Sequence, residues 1–146
     1  MASAHDVAAY ILKKQGKMTA MKLQKLVYYS QAWSLVWDDR PLFSEHIEAW
    51  VNGPVVPNLY RIHRGEYFVG ADWPYGNPDN LTKKQRETVD AVLEFYGDKS
   101  SQWLSDLTHS EEPWRAARRG FAPTEPCGNE ISHASMAEYY SSLPRA

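Results

Sequence analysis

The sequence predicts a mainly α-helical fold of the α+β class, a compact helical domain around one buried helix with a small β-hairpin or short strand pair. The first observation is the stretch from Met18 to Trp37, which lacks Gly and Pro and repeats its apolar residues at helical spacing. The second is a period-two alternation from His46 to Val51, followed by the turn signal Asn52-Gly53. Residues 1–146 are expected to form one domain, because no repeat, low-complexity tract or linker divides the chain.

The stretch from Met18 to Trp37 is predicted to be the central helix, with Thr19 as its N-cap. One apolar face contains Leu23, Leu26, Val27, Trp33 and Trp37, and a second contains Met21, Tyr28, Ala32 and Leu35. Only a narrow stripe through Lys22, Lys25 and Tyr29 is left for solvent. A helix that is apolar around most of its circumference must be covered on several sides, so this helix is expected at the centre of the core.

Shorter helices are predicted on both sides of the central helix from their start and stop signals. Gly16 is a typical helix stop, Pro57 and Pro113 suit a first helical turn, and Thr82 with Gln85 forms a capping box. The predicted helices are Asp6 to Gln15, Asn58 to Arg64, and four that begin after Thr82, after Ser100 or Ser101, at Pro113 and after Ser132. Together they give a mainly helical chain with a short β element in its middle.

The charge and composition exclude several classes of protein. A net charge of −2 argues against a general nucleic-acid binder, which needs a concentrated basic face. The basic cluster Arg115, Arg118 and Arg119 is interpreted as a solvated helix face, with a phosphate site as the alternative. The single Cys127 excludes an internal disulfide and a cysteine-based metal cage. The lack of a signal peptide or apolar span predicts a soluble, cytoplasmic protein that binds no membrane.

No specific catalytic constellation is visible. The five histidines are not at the short spacing of a zinc-binding helix, and no glycine-rich loop or nucleophile elbow occurs. The pairs Glu45 with Glu48 and Glu111 with Glu112 are interpreted as surface charges rather than acid–base partners. We therefore expect no catalytic residues, no metal and no cofactor, although a site assembled from distant elements stays open.

The irregular segment from Pro41 to Arg64 is the candidate binding surface. Irregular stretches on a rigid base often carry recognition, and Trp, Tyr and Arg often anchor interfaces. The predicted partner-binding residues are Trp50, Asn52, Gly53, Pro54, Tyr60 and Arg61. The alternative is that Trp50 and Tyr60 complete the core. The loop from Gly65 to Asn80, with Tyr67, Phe68, Trp73 and Tyr75, is interpreted as closing the rim of the core, and a role in partner contact is its alternative.

The same residues carry a resemblance to a known family. KLQKLVYYSQAW (Lys22 to Trp33) followed by PLFSEHIEAWVNGPVVPNLYR (Pro41 to Arg61) resembles the Panacea domain of the SocA-like antitoxins. THSEEPWRAAR (Thr108 to Arg118) and ISHASMAEYY (Ile131 to Tyr140) resemble the later helices of that family. The resemblance spans roughly residues 5 to 143, and its middle block is the specific part.

The resemblance implies a mostly helical fold and a role as antitoxin in a bacterial or phage toxin–antitoxin pair. The implied partner is a cognate protein toxin bound by direct contact and, in members that act as adaptors, a cellular protease. It implies no catalytic residue. Two alternatives stay open: a small hydrolase or nucleotide-processing enzyme whose site forms only in three dimensions, and a DNA-binding regulator.

Overall fold

The computed structural model describes residues 2–144, and these form seven α-helices and five short strands. The helices are α1 (Ala4–Gln15), α2 (Ala20–Trp37), α3 (Pro57–His63), α4 (Lys83–Tyr96), α5 (Ser101–Ser110), α6 (Glu112–Ala117) and α7 (His133–Ser141). The strands are β1 (Met18–Thr19), β2 (Ile47–Trp50), β3 (Gly53–Val55), β4 (Phe68–Val69) and β5 (Glu130–Ile131), and Pro78–Asn80 forms one 3-10 turn. The prediction of a mainly helical α+β fold is confirmed.

Helix α2 lies at the centre of the core, where it contacts α1, α4, α5, α7 and β3. Thr19 caps it as predicted, since its hydroxyl accepts a hydrogen bond from the amide of Lys22. The predicted solvent stripe is wrong for Lys25 and Tyr29, which are both buried. The exposed side chains of α2 are instead Met21 and Trp37 near its two ends, because the covering elements leave those ends open.

The burial of Leu26 predicts a large loss of stability on truncation. Its side chain is fully buried in α2, and Leu26→Ala is expected to lower the free energy of unfolding by ~2–5 kcal/mol, the usual range for a buried leucine. Met21→Ala on the same helix is the matched control, because Met21 is exposed. Urea unfolding measures both variants. Equal stabilities of the two would mean that Leu26 is not held in the core.

The predicted strand pair is a hairpin of β2 and β3. These strands are antiparallel, with Glu48 opposite Val55 and Trp50 opposite Gly53. Strand β5, which pairs antiparallel with the other edge of β2, was not predicted. Nor was the pairing of β1 with β4. Both missed pairings involve two-residue strands, which are too short for an alternation to be visible.

The β2–β3 hairpin is tied to α5 and α6 by side chains that donate to its backbone carbonyls. The indole Nε1 of Trp114 donates to the carbonyl of Trp50 (2.8 Å), and the hydroxyl of Ser105 donates to that of Asn52 (2.6 Å). Arg118 donates to the carbonyl of Ala49 (2.8 Å) and is itself buried. The interpretation of the arginine cluster as a solvated face is therefore wrong for Arg118, whose guanidinium serves the hairpin.

A buried polar network joins α2 to α7 through the residue between α5 and α6. The Glu111 carboxylate oxygen Oε1 accepts hydrogen bonds from the hydroxyls of Tyr29 (2.8 Å) and Tyr140 (2.7 Å), and Tyr140 is also bonded to Tyr28 (2.9 Å). Burial raises the pKa of Glu111, and the two tyrosine hydrogen bonds partly offset this. The prediction that Glu111 is a surface charge is wrong, because two hydroxyls from other helices replace its water.

Candidate partner-binding site

An open cavity of about 720 Å³ lies between the first turns of α2, the β2–β3 hairpin, α3 and the connection before β5. Its wall is mainly apolar and aromatic, with a few polar groups. The residues that line it are Thr19, Ala20, Met21, Gln24, Lys25, Glu48, Trp50, Val51, Asn52, Val55, Tyr60, His63, Arg64, Gly65, Glu66, Tyr67, Ser101, Pro126, Cys127 and Gly128. A cavity of this size and composition is typical of binding sites.

One wall of the cavity is a pair of aromatic rings. Trp50 from β2 and Tyr60 from α3 meet edge to face, with their ring centroids 4.9 Å apart. The indole Nε1 of Trp50 donates to the Glu48 carboxylate (2.8 Å), and the other oxygen of that carboxylate lies 2.7 Å from Nε2 of His46. The carboxylate of Glu48 is thus already occupied, and both rings, each half-buried, keep area free for a partner.

A second wall holds a fixed polar pair. Gln24 receives the amide hydrogen of Val56 at its Oε1 (2.9 Å), and its Nε2 lies 2.9 Å from Nε2 of His63. Because the Gln24 amide donates, this ring nitrogen of His63 accepts and carries no proton. Burial lowers the pKa of His63, and the charge of Lys25 lowers it further. His63 is therefore neutral at physiological pH.

Lys25 is the buried cation of the cavity wall. Its side chain is 1% exposed, and no hydrogen bond or opposite charge within the described range 2–144 offsets the cost of its burial. Burial lowers its pKa from 10.5 to about 7, and no carboxylate offsets this effect. A buried amine without a partner is costly, so an anion from outside would find an uncompensated charge here.

Gly53 makes room for the stem of Lys25. A Cβ atom built on Gly53 would lie 2.5 Å from Cε of Lys25 and 2.9 Å from the hydroxyl oxygen of Thr108. The backbone of Gly53 also has a φ of +122°, a value that residues other than glycine rarely adopt. The Asn52-Gly53 signal therefore does more than make a turn, because it lets the hairpin close directly over Lys25.

The structure brings together only part of the predicted partner-binding set. Trp50, Asn52 and Tyr60 line the cavity. Gly53 and Pro54 are buried, so the expectation that the whole turn lies at the surface is wrong for these two. Arg61 is exposed outside the cavity wall, where it donates to the side chain of Asn58 (2.6 Å).

The aromatic loop points outward more than predicted. Tyr67 is 73% exposed, and Phe68 and Tyr75 are also exposed, so the interpretation that these rings close the core rim is wrong for them. Trp73 alone packs against the core, as a half-buried side chain. Tyr67 lines the same cavity as Trp50, which makes the beginning of this loop a neighbour of the candidate site.

Sequence reasoning missed Lys25, His63 and Cys127 as wall residues. One signal for Lys25 was available, because Met21, Tyr28 and Tyr29 stand one helical turn away from it on either side. A lysine so surrounded on a helix with little polar surface could have been suspected of burial. No local pattern places Cys127 here, since it reaches the cavity through a connection far along the chain.

The described residues contain no cluster of metal-ligating side chains. Within 2–144 there is no group of three or more His, Cys, Asp or Glu side chains that could hold a metal ion. Cys127 and His63 both line the cavity, but His63 is bonded to Gln24 instead. Separately, none of the described helices combines the length and apolarity that crossing a membrane requires.

Comparison with known proteins identifies the family of this chain. The family model described as Antitoxin SocA-like, Panacea domain, matches residues 23–115, well over half of the chain. The chain belongs to this family. No match was found among the curated proteins, and none among the solved structures.

The Panacea domain match covers most of the cavity wall. It begins within α2, just before Gln24 and Lys25, and continues through the hairpin, α3 and α5 to Arg115 in α6. Pro126, Cys127 and Gly128 lie beyond its end. The family therefore accounts for the helical base and the aromatic wall, whereas the last part of the wall comes from a segment outside the match.

Proposed function

We propose that this protein is the antitoxin of a toxin–antitoxin pair and that it neutralises its cognate protein toxin by direct contact. The proposed contact face, called the Trp50 face below, consists of Trp50, Asn52, Tyr60 and Arg61. Membership of the SocA-like antitoxin family supports the biological role. The observation that carries the location is the cavity beside the Trp50–Tyr60 pair, because it offers free aromatic area on a rigid base.

The rigidity of the Trp50 face favours recognition without reorganisation. The hairpin is bonded to α5 and α6 through the carbonyls of Ala49, Trp50 and Asn52. Tyr60 lies on α3, and the start of α3 is bound to α2 because the amide of Val56 donates to the side chain of Gln24. A surface that is already ordered loses less conformational entropy on binding, so more of the contact energy is available as affinity.

The role itself is tested by co-expression with the product of the neighbouring gene. The protein is expected to restore growth when that gene product arrests it, and the two purified proteins are expected to form a complex. Loss of toxicity upon mixing the purified proteins supports direct blocking. Rescue that occurs only in cells containing a particular protease would instead support delivery of the toxin to that protease. Absence of both rescue and complex would overturn the antitoxin proposal.

The Trp50 face is tested by truncating its anchors. At least one of the variants Tyr60→Ala and Arg61→Ala is expected to weaken the complex roughly thirtyfold. This is the effect of losing a hot-spot residue worth ~2 kcal/mol. Calorimetric titration against the neighbouring gene product measures the affinity, and melting temperatures show that the variants are folded. Phe95→Ala is the control, since Phe95 is an exposed ring on α4 outside the cavity wall. Native affinity in both Tyr60 and Arg61 variants would exclude this face.

A further inference from the structure

Lys25 is unusual because two other basic side chains lie near it. Burial lowers the pKa of His63 on α3 and of His109 on α5, and the charge of Lys25 lowers both further, so these three basic groups lie in one region. The Nε2 atom of His109 is buried and has no hydrogen-bond partner among the described residues. The acidic wall residue of the hairpin is Glu48 of β2, whose carboxylate is held by Trp50 and His46.

The rim of the cavity does not neutralise Lys25 either. Arg64 and Glu66 line the rim, where both are exposed to solvent and carry opposite charges. Exposed charges are screened by water and salt, so they act weakly on a buried amine. The structure therefore has a buried cation facing an open, largely apolar cavity, with every nearby carboxylate either occupied or solvated.

From this arrangement we propose that the cavity receives a carboxylate-bearing peptide segment of the protein partner, and that Lys25 pairs with its carboxylate while Trp50 and Tyr60 hold its apolar part. The proposal rests on the proposed function, in that a protein binds the Trp50 face. Charge complementarity selects the occupant, because a carboxylate supplies the counter-ion that Lys25 lacks. Lys25 then acts as a binding residue rather than a structural one.

Gly53 also shapes the cavity around Lys25. Its missing Cβ permits the hairpin to cover the alkyl stem of Lys25, and Lys25 still lines the cavity. In such a desolvated place an ion pair is screened less than it is on the surface. A carboxylate that reaches Lys25 must shed water, so the aromatic walls are needed to stabilise the rest of the segment.

Short peptides test the proposal without the toxin. The probes are acetyl-leucyl-phenylalanine, its C-terminal amide, and acetyl-phenylalanyl-aspartyl-amide, which carries only a side-chain carboxylate. Amide and indole NMR shifts report binding, and the Nε1 resonance of Trp50 marks the cavity. At least one acidic peptide is expected to bind at least tenfold more tightly than the neutral amide. The peptide that does so shows whether a chain terminus or an acidic side chain is preferred.

Variants assign this preference to Lys25. Lys25→Met is expected to abolish the difference between acidic and neutral peptides and to keep or raise the melting temperature. Lys22→Met is the matched control, since Lys22 lies one turn earlier on α2, outside the cavity wall, and donates to the carbonyl of Gly97. It is expected to retain the preference. A purely structural Lys25 would change stability without changing the ratio of the two affinities.

Proton uptake gives a measurement on the unmodified protein. At pH 7.5 calorimetry in two buffers of different ionisation enthalpy is expected to show that the preferred acidic peptide binds with uptake of protons, because pairing keeps Lys25 charged. The neutral amide is expected to bind with no uptake. Since the pKa values of His63 and His109 are both lowered, these groups are neutral at this pH before binding.

Several outcomes would overturn the inference. Equal affinity for acidic and neutral peptides in the native protein, or a preference that survives Lys25→Met, would exclude the ion pair. Binding of free phenylpropionate without binding of either acidic peptide would indicate a small-molecule site instead of a peptide site. Growth rescue is scored separately, so native rescue without carboxylate preference would overturn this inference while leaving the antitoxin role standing.

Discussion

The free energy of unfolding is expected to rise by about 2 kcal/mol between pH 7 and pH 9, because Lys25 is buried without a counter-ion. Its pKa is about 7 in the folded protein against 10.5 ordinarily. In this pH range the unfolded chain holds the Lys25 proton and the folded protein loses it. Raising the pH therefore favours the folded state, and the gain is reversed as the pH falls towards 7. Urea unfolding at a series of pH values measures the slope.

Lys25→Met is the control for this pH dependence. Methionine fills nearly the same volume without a charge, so the variant is expected to be more stable than the native protein at pH 7 and to have a flatter profile up to pH 9, with a residual slope from Lys22, whose pKa is also lowered by burial. His63 and His109 add little to the slope, because their lowered pKa values leave them neutral in the folded protein and the unfolded chain holds few of their protons above pH 7. A native profile as flat as that of the variant would show that Lys25 is solvated.

Glu111→Ala is expected to lower the free energy of unfolding by roughly 3–5 kcal/mol, the range for breaking a buried charged network. The substitution removes the acceptor of both Tyr29 and Tyr140, so the buried hydroxyl of Tyr29 loses its partner and that of Tyr140 keeps only Tyr28. It also opens a space where α2, α6 and α7 meet. Denaturant unfolding at pH 7 measures the loss.

Glu111→Gln separates the hydrogen bonds from the charge. The glutamine side chain keeps an oxygen that can accept from Tyr29 and Tyr140, so its cost is expected to be only about 1 kcal/mol. Glu112→Ala is a further control. Glu112 is the next residue in the chain, and its exposed carboxylate forms a surface ion pair with Arg119. A loss below 1 kcal/mol in Glu111→Ala would contradict the buried network.

Local signals predicted the elements that depend on a few neighbouring residues. Thr19 caps α2, Thr82 and Gln85 form the capping box of α4, and Ser132 caps α7, all as predicted. Helix α1 begins before the predicted Asp6 because Ser3 and Asp6 form a capping box that the prediction did not include. Such contacts span three residues of chain, so they are readable without the fold.

Three buried charged side chains were predicted wrongly from the sequence. Lys25, Glu111 and Arg118 were all predicted to face solvent, because burying a charge is costly when no partner is known. Glu111 and Arg118 are buried by virtue of hydroxyls and carbonyls supplied from other elements. Lys25 has no such partner within the described residues, so internal pairing does not explain its burial. This unpaired burial is the basis of the proposed ion pair with a carboxylate of the protein partner.

Periodicity, caps and an ordered motif within short spans were sufficient to predict the helical class, the central helix, the β2–β3 hairpin and the family. The residue types also indicated Trp50 and Tyr60 as binding residues. The fold was needed to show that these rings share one cavity with Lys25 and Cys127, which are far apart in the chain. Burial and charge pairing depend on which distant elements meet, and the period of a helix or strand contains no information about such contacts.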